Sequence, residues 1–156
     1  MSINPVWYQR LRHAKGFGIH SPFAYRFITE VLNQRLPYYR YSEIDLMATG
    51  RLRPRDLRLV FRLATFFRTS NIRVTGATDD EVRALRAAAT ATGAAGDGDI
   101  LAIHLDSKYT ETRDNAVCRL CLCRAEALDA MTFRARRYSV GVYLPHLPRQ
   151  LFHVRF

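Results

Sequence analysis

A single glycine, Gly76, lies between a short β-branched run and an acidic helix start, and this arrangement could bring a ligand close to the backbone. Residues 71–75 predict a strand, and Asp79-Asp80-Glu81 predict the first turn of a helix, whose positive end acidic groups stabilise. Strand, glycine turn and helix form half of a βαβ unit. Glycine has no side chain, so a ligand can approach there, but a single glycine is also common in plain turns.

Cysteines and histidines of the second half raise the question of a metal site. They are Cys118, Cys121, Cys123, His104, His146 and His153. Structural zinc sites favour paired cysteines on turns, whereas these cysteines fall within a predicted helix, with Cys123 away from its buried face. We therefore expect thiols that pack as small hydrophobic groups, and no metal.

Two features of the first 41 residues could also carry chemistry. His20 could act as an acid or base near neutral pH, but the alternative, which we favour, is that Ser21 caps a helix while His20 fixes its start. Elsewhere aromatic residues alternate with arginines, as in proteins that stack unpaired bases and bind phosphates. The alternative is that the rings only pack. The nucleic-acid hypothesis rests on Arg10, Arg12, Tyr39, Arg40 and Tyr41.

Caps and apolar spacing place the elements. Helices are predicted at 5–14, 22–33, 54–67, 79–91 and 110–128, with an extended aromatic connector at 37–41. The nearly continuous apolar run at 99–105 predicts a strand buried on both faces of a parallel sheet. Further strand-like stretches are at 130–138, 139–144 and 151–156, and the last two predict an antiparallel hairpin.

The two ends of the chain resemble a known family. Lys15-Gly16-Phe17-Gly18-Ile19-His20-Ser21-Pro22-Phe23, residues 138–144 and residues 147–156 are similar to the opening and closing segments of a bacterial group of class I S-adenosylmethionine (SAM)-dependent methyltransferases. That family has a sheet in the strand order 3-2-1-4-5-7-6. By resemblance, residues 15–32 match the N-terminal helical extension of the family, and residues 54–76 match its first strand with the helix before it. Residues 99–117 match its fifth strand with the helix after it, and residues 130–156 match its last two strands.

The resemblance implies a reduced Rossmann-like α/β fold. We expect one compact domain in two parts, an N-terminal helical extension (1–53) and a shortened core (54–156), with four or five strands in the order 1-5-7-6. No stretch is left for the second to fourth strands. Their loss would expose one side of the first strand, which a homodimer or the N-terminal helices could cover.

The resemblance also implies a SAM site at Thr75, Gly76, Ala77 and Thr78, but the chain departs from the family pattern there. Val74 stands where the family has an acidic residue, and Asp79 and Asp80 stand where further glycines are expected. The ribose and adenine contacts of the family come from strands that this chain lacks. We therefore expect a methyltransferase-like protein of unknown acceptor with an impaired or lost SAM site. The alternatives are a non-catalytic basic module that binds nucleic acid or another anion, and a structural homo-oligomer.

Composition fits one globular domain with anionic partners. The 156 residues carry a net charge of +10, and Lys15 and Lys108 are the two lysines among 24 basic residues. The charge is +6 over residues 1–60, −1 over 61–115 and +5 over 116–156. Such a field attracts phosphate backbones, although an arginine-rich composition alone would produce it. The absence of a long apolar run or secretion pattern favours a cytoplasmic location, where the cysteines stay reduced.

Overall fold

The computed structural model describes residues 21–34, 38–106, 115–122 and 130–154, which form a mixed α/β fold with a six-stranded sheet. The predicted helix at 5–14 lies outside the described residues, as do His20, Arg10 and Arg12. Within the described part of the chain, no helix is long and apolar enough to cross a membrane.

The N-terminal helical segment begins at Ser21. The Ser21 hydroxyl oxygen accepts a hydrogen bond from the Ala24 amide at 3.2 Å, and helix α1 (Pro22–Phe27) continues into a π-helical turn (Ile28–Leu32). This confirms the predicted cap and helix. The prediction of an extended connector at 37–41 was wrong over residues 39–41, because Tyr39 and Arg40 form a turn and Tyr41 begins a short helix, α2 (Tyr41–Asp45). One helical turn buries both Tyr41 and Ile44, which an extended chain would not do.

Helix α3 (Pro54–Phe67) confirms the helix predicted at 54–67 and the apolar face predicted to pack on the core. Proline at its first position and the Asp56 carboxylate, which accepts the Arg53 amide at 2.8 Å, fix its start. Four of the residues predicted for its apolar face are buried: Leu57, Val60, Phe61 and Ala64. The helix ends at Arg68, which has a left-handed backbone conformation with φ of 53°.

Helix α4 (Asp79–Thr90) follows the glycine turn, as predicted. A reciprocal cap begins it: the Thr78 hydroxyl accepts the Glu81 amide at 3.3 Å, and the Glu81 carboxylate accepts the Thr78 amide at 3.1 Å. The backbone amides of Thr78 and Glu81, which have no partner within the helix, are thereby satisfied.

The sheet contains three parallel strands on one side and an antiparallel hairpin on the other. Its strands are β1 (Ile72–Thr75), β2 (Ile100–His104), β3 (Ala116–Cys121), β4 (Met131–Arg134), β5 (Ser139–Val142) and β6 (Leu151–His153), in the order β1-β2-β3-β5-β4-β6. Strands β1, β2 and β3 are parallel to one another, and β5 is antiparallel to both of its neighbours. The parallel strand predicted at 99–105 is confirmed.

The helix predicted at 110–128 was wrong over residues 116–121, which form β3. All six residues of this strand are buried because it lies inside the sheet. A strand covered on both faces loses the alternation that identifies strands, and its apolar residues at 117, 120 and 121 also fit helical spacing. With this added strand the described residues form six strands rather than the expected four or five.

The C-terminal hairpin was also assigned to the wrong pair of strands. The hairpin joins β4 and β5, and its turn is closed by the Ala135 amide donating to the Tyr138 carbonyl at 2.9 Å. Strand β6 pairs in parallel with β4 instead of with β5. The connection between β4 and β5, residues 135–138, has the four residues typical of a hairpin loop. The connection between β5 and β6, residues 143–150, is longer, and it lets the chain cross to the free edge of β4.

The N-terminal helices pack on one face of the sheet. Phe27 of α1 lies 4.7 Å from Phe133 of β4 between ring centroids, and Phe133 stacks on Phe152 at 5.3 Å. The helical extension and the core therefore share one hydrophobic interior. At the other end of the sheet, β1 is an edge strand within the described residues, and Arg73 on it is exposed.

Candidate functional site

The parallel strands β1, β2 and β3 end at the same edge of the sheet, where ligands bind in open α/β folds. The turn after β1 contains Gly76, with φ of 73°. A Cβ added to Gly76 would lie 2.3 Å from the Asp106 Cβ and 2.8 Å from the Asp106 nitrogen. The close approach that glycine permits is therefore already used by the segment after β2, and not by an open ligand space.

The guanidinium of Arg51 bonds to both of these strand ends. It donates to the Gly76 carbonyl at 2.6 Å and to the Leu105 carbonyl at 2.9 Å. The same group donates to the Glu81 carboxylate at 3.1 and 3.3 Å. Arg51 thus joins the ends of β1 and β2 to the first turn of α4 at the ligand edge of the sheet.

Glu81 is the buried partner in this arrangement, with 1% of its surface exposed. Burial alone would raise the pKa of Glu81, but hydrogen bonds from Arg51 and Thr78 outweigh it and lower the pKa below its ordinary value. A Cβ on Gly50, which has φ of 58°, would lie 3.2 Å from the Glu81 side chain. We call the Arg51–Glu81 pair, with its bonds to Gly76 and Leu105, the arginine staple.

The cavity that Arg51 lines at this edge of the sheet is small. The cavity there is about 110 Å³, lined by Arg51, Leu52, Asp56, Leu105, Leu122, Arg137 and Tyr138. Ligand pockets usually have about 300 to 1,000 Å³. The residues after β2 and β3, 107–114 and 123–129, lie outside the described part of the chain.

The predicted cofactor residues lie together at this edge, where Thr75, Gly76 and Thr78 are exposed. Thr75 ends β1, Gly76 contacts Asp106, and Thr78 caps α4. Ala77 is half-buried and packs against the hydrophobic core.

Of the predicted nucleic-acid residues, the structure describes Tyr39, Arg40 and Tyr41, and their two rings differ in exposure. Tyr39 is 81% exposed, and the Arg40 guanidinium carbon lies 5.3 Å from its ring centroid. A side-chain hydrogen bond with Tyr39 raises the pKa of Arg40, which stays cationic. Tyr41 is 7% exposed and packs against Tyr38 and Phe61, so its prediction as a base-stacking residue was wrong. As the first residue of a helix, it points into the core.

A second cavity, which the sequence did not indicate, lies between the N-terminal helical segment and α3. We call it the arginine cleft; it measures about 350 Å³ and is lined in part by Arg26, Glu30, Tyr38, Arg62, Phe66 and Arg68. Arg68 lies four residues before the start of β1, so the cleft lies toward the amino end of that strand. The arginine staple is at the carboxyl end, and the two sites are therefore distinct.

The cysteines and histidines do not form a metal centre among the described residues. No group of three His, Cys, Asp or Glu side chains there could hold a metal ion. Cys118 and Cys121 are three apart on β3 and so point to opposite faces; burial raises the pKa of the Cys118 thiol. His104 is buried, with Nε2 3.3 Å from Nη1 of Arg119, a fully buried residue of β3.

Sequence reasoning missed the residues that dominate both sites. The Thr78-x-x-Glu81 spacing is a capping-box pattern and could have indicated the role of Glu81. Arg51 lies 30 residues from Glu81 and 54 from Leu105, and no local pattern reports such contacts. In comparisons of the chain with protein-family models, curated proteins and solved structures, nothing matched.

Proposed function

We propose that this chain is a methyltransferase-like α/β module that has lost SAM binding and serves as a non-catalytic binding protein for single-stranded nucleic acid. The observation that carries the loss of SAM binding is the arginine staple, because Arg51 bonds to the backbone at the ends of both β1 and β2. A ligand at that edge would have to displace Arg51 and leave Glu81 buried without its counter-ion, which is costly.

Part of the strand order supports descent from the methyltransferase fold, whereas β6, which pairs in parallel with β4, has no counterpart in the family's order. The run β1-β2-β3-β5-β4 follows 1-4-5-7-6 of the family if β2 and β3 are taken as its fourth and fifth strands. In this assignment β5, which is antiparallel to its neighbours, takes the place of the family's seventh strand. The segment at 99–105 then corresponds to the fourth strand rather than the fifth, and no strand among the described residues corresponds to the family's second or third.

Exposed aromatic and basic groups support the nucleic-acid partner. Tyr39 offers a ring face to solvent beside the cationic Arg40, and Tyr38 next to it lines the arginine cleft. Bases of any sequence can stack on such a ring while guanidinium groups meet the phosphates. The net charge of +10 adds a long-range attraction for the same partner.

Fluorescence anisotropy with a single-stranded RNA of about 10 nucleotides tests the proposal. We expect micromolar binding that weakens steeply as salt rises. Tyr39→Ala should weaken binding at least fivefold, since one stacked base contributes about 1 to 3 kcal/mol. Arg40→Ala should also reduce, by about 1, the slope of the logarithm of the binding constant against the logarithm of the salt concentration.

Matched controls separate a site from general charge. Tyr25→Ala removes another exposed ring, and Arg86→Ala removes another exposed charge. Neither lines the arginine cleft. Equal weakening by the control and test variants, or no salt-sensitive binding at micromolar protein, would refute the nucleic-acid proposal.

A second candidate, SAM-dependent methyl transfer, is favoured by the strand order alone. Calorimetric titration with SAM distinguishes the two functions. We expect no binding at micromolar SAM; micromolar affinity would make methyl transfer the better proposal and would mean that the arginine staple opens.

A further inference from the structure

The arginine cleft has the size and lining of a small-molecule site. Its volume of about 350 Å³ is within the range of ligand pockets. Three arginines face it against one acidic residue, Glu30, and the rings of Tyr38 and Phe66 contribute to its walls. Cationic groups and ring faces in one concave space suit a ligand that carries both a negative charge and a planar group.

Arg62 is held in position before any ligand arrives. Its Nε donates to the Val31 carbonyl at 2.6 Å, and its Nη1 donates to the Tyr41 hydroxyl at 3.2 Å. Tyr41 is fixed in turn by the Arg58 guanidinium, which lies 4.8 Å from its ring centroid. An arginine ordered in this way loses little side-chain entropy when it binds an anion.

Arg26 is similarly ordered at the rim of the cleft. Its Nε lies 3.1 Å from both carboxylate oxygens of Glu30, one helical turn away. Its guanidinium carbon lies 5.3 Å from the Phe66 ring centroid. These contacts use Nε and one face of the group, so the two terminal nitrogens still have donors for a ligand.

Arg68 occupies a position where glycine is the usual residue. Its left-handed φ of 53° ends α3, and L-residues other than asparagine and aspartate are uncommon there. Among the described residues Arg68 makes no ion pair, and its side chain lines the cleft. A cation at a helix C-terminus is also favourable in itself, so an experiment must separate that role from ligand binding.

We infer that the arginine cleft binds the phosphate group of a nucleotide, with the base against the aromatic wall. This inference rests on the proposed function and names where one unit of the nucleic acid is held. Guanidinium groups are suited to phosphate because their paired N–H donors match two phosphate oxygens. The three arginines converge on one cavity, whereas Tyr39 and Arg40 offer a further stacking position beside Tyr38.

Calorimetric titration of the whole chain with adenosine 5′-monophosphate, and with uncharged adenosine as a comparison, tests the inference. We expect the monophosphate to bind and adenosine to bind at least tenfold more weakly. The decisive variant is Arg68→Gly, because it removes one cleft charge and also relieves the left-handed strain. It should weaken monophosphate binding about tenfold, as for one charge-assisted hydrogen bond, while the melting temperature rises by about 2 °C.

Arg68→Lys keeps the charge without the paired N–H donors, so its affinity should fall between those of Arg68→Gly and the unaltered chain. The control Arg86→Ala should bind as the unaltered chain does. A role limited to the helix end predicts unchanged binding by Arg68→Gly, and that result overturns the inference. So does an equal loss with Arg86→Ala. If RNA binds and depends on Tyr39 while the monophosphate does not bind, the cleft inference fails and the proposed function stands. If the monophosphate binds and RNA does not, the proposed function fails and the cleft remains a nucleotide site.

Discussion

The arginine staple predicts a strong energetic coupling between Arg51 and Glu81. Three Arg51 hydrogen bonds, from the backbone amide, Nε and Nη2, reach one carboxylate with 2% of its side chain exposed. Charge-assisted hydrogen bonds contribute about 1.5 to 3 kcal/mol each, and removing one partner of a buried pair costs about 3 to 5 kcal/mol. The Arg51 side chain is 55% exposed, so solvent screening reduces these values.

We therefore expect Arg51→Ala and Glu81→Ala each to lower the free energy of unfolding by about 3 kcal/mol, with a coupling energy of about 2 kcal/mol in the double-mutant cycle. Urea unfolding of the four proteins measures it. The control is the Asp80–Arg83 pair on the same helix, whose side chains are 70% and 78% exposed and whose coupling should be below about 0.5 kcal/mol. A coupling for Arg51–Glu81 as small as that of the control would refute the staple.

Three further predictions concern acid, the core and the sheet edge. The folded-state pKa of Glu81 is below its ordinary value of 4.5, so the stability that its carboxylate contributes is present above pH 4.5 and is lost as the pH falls. Glu81→Gln should therefore reduce the loss of unfolding free energy between neutral and acidic pH, measured by urea unfolding. The same loss in Glu81→Gln as in the unaltered chain would contradict this prediction. Phe133→Ala should lower the free energy of unfolding by about 3 to 5 kcal/mol, because Phe133 is fully buried between the rings of Phe27 and Phe152. Leu151→Ala, at a site that is 40% exposed, should lower it by less than about 1 kcal/mol. Similar losses in the two variants would contradict the packing described. Light scattering tests the prediction that two copies of the chain pair through the exposed edge of β1. A mass twice the 18.0 kDa of the chain supports edge pairing, and a mass of 18.0 kDa contradicts it.

The elements that the sequence predicted correctly are those with local determinants. Helices α3 and α4 have caps and one apolar face each, so neighbouring residues alone are enough to place them. Strand β2 is a continuous apolar run between a glycine-rich loop and a charged segment. Burial on both faces also explains the failure at β3, because Arg119 and two cysteines interrupt its apolar run without exposing it.

The candidate sites were less predictable than the fold because they are made of long-range contacts. Gly76 was predicted to contact a ligand, but its neighbour in the structure is Asp106, which a helix, a loop and a strand separate from it in the chain. The cleft joins α1 to the far end of α3, and Arg62 reaches Val31 across 31 residues. Tyr41 looked like an exposed aromatic in a basic stretch; only its position on a helix shows that it supports Arg62 instead of contacting a ligand.

The contact between Arg51 and the two strand ends also bears on the kinetics of folding. Its partners Gly76, Glu81 and Leu105 lie 25, 30 and 54 residues away, and all of the bonds are made at once only when β1 and β2 have paired, so we expect them to form late in folding. Contacts that form after the transition state slow unfolding and leave the folding rate almost unchanged. The arginine staple should therefore set how long the folded chain persists, and its loss should appear as faster unfolding with unaltered refolding.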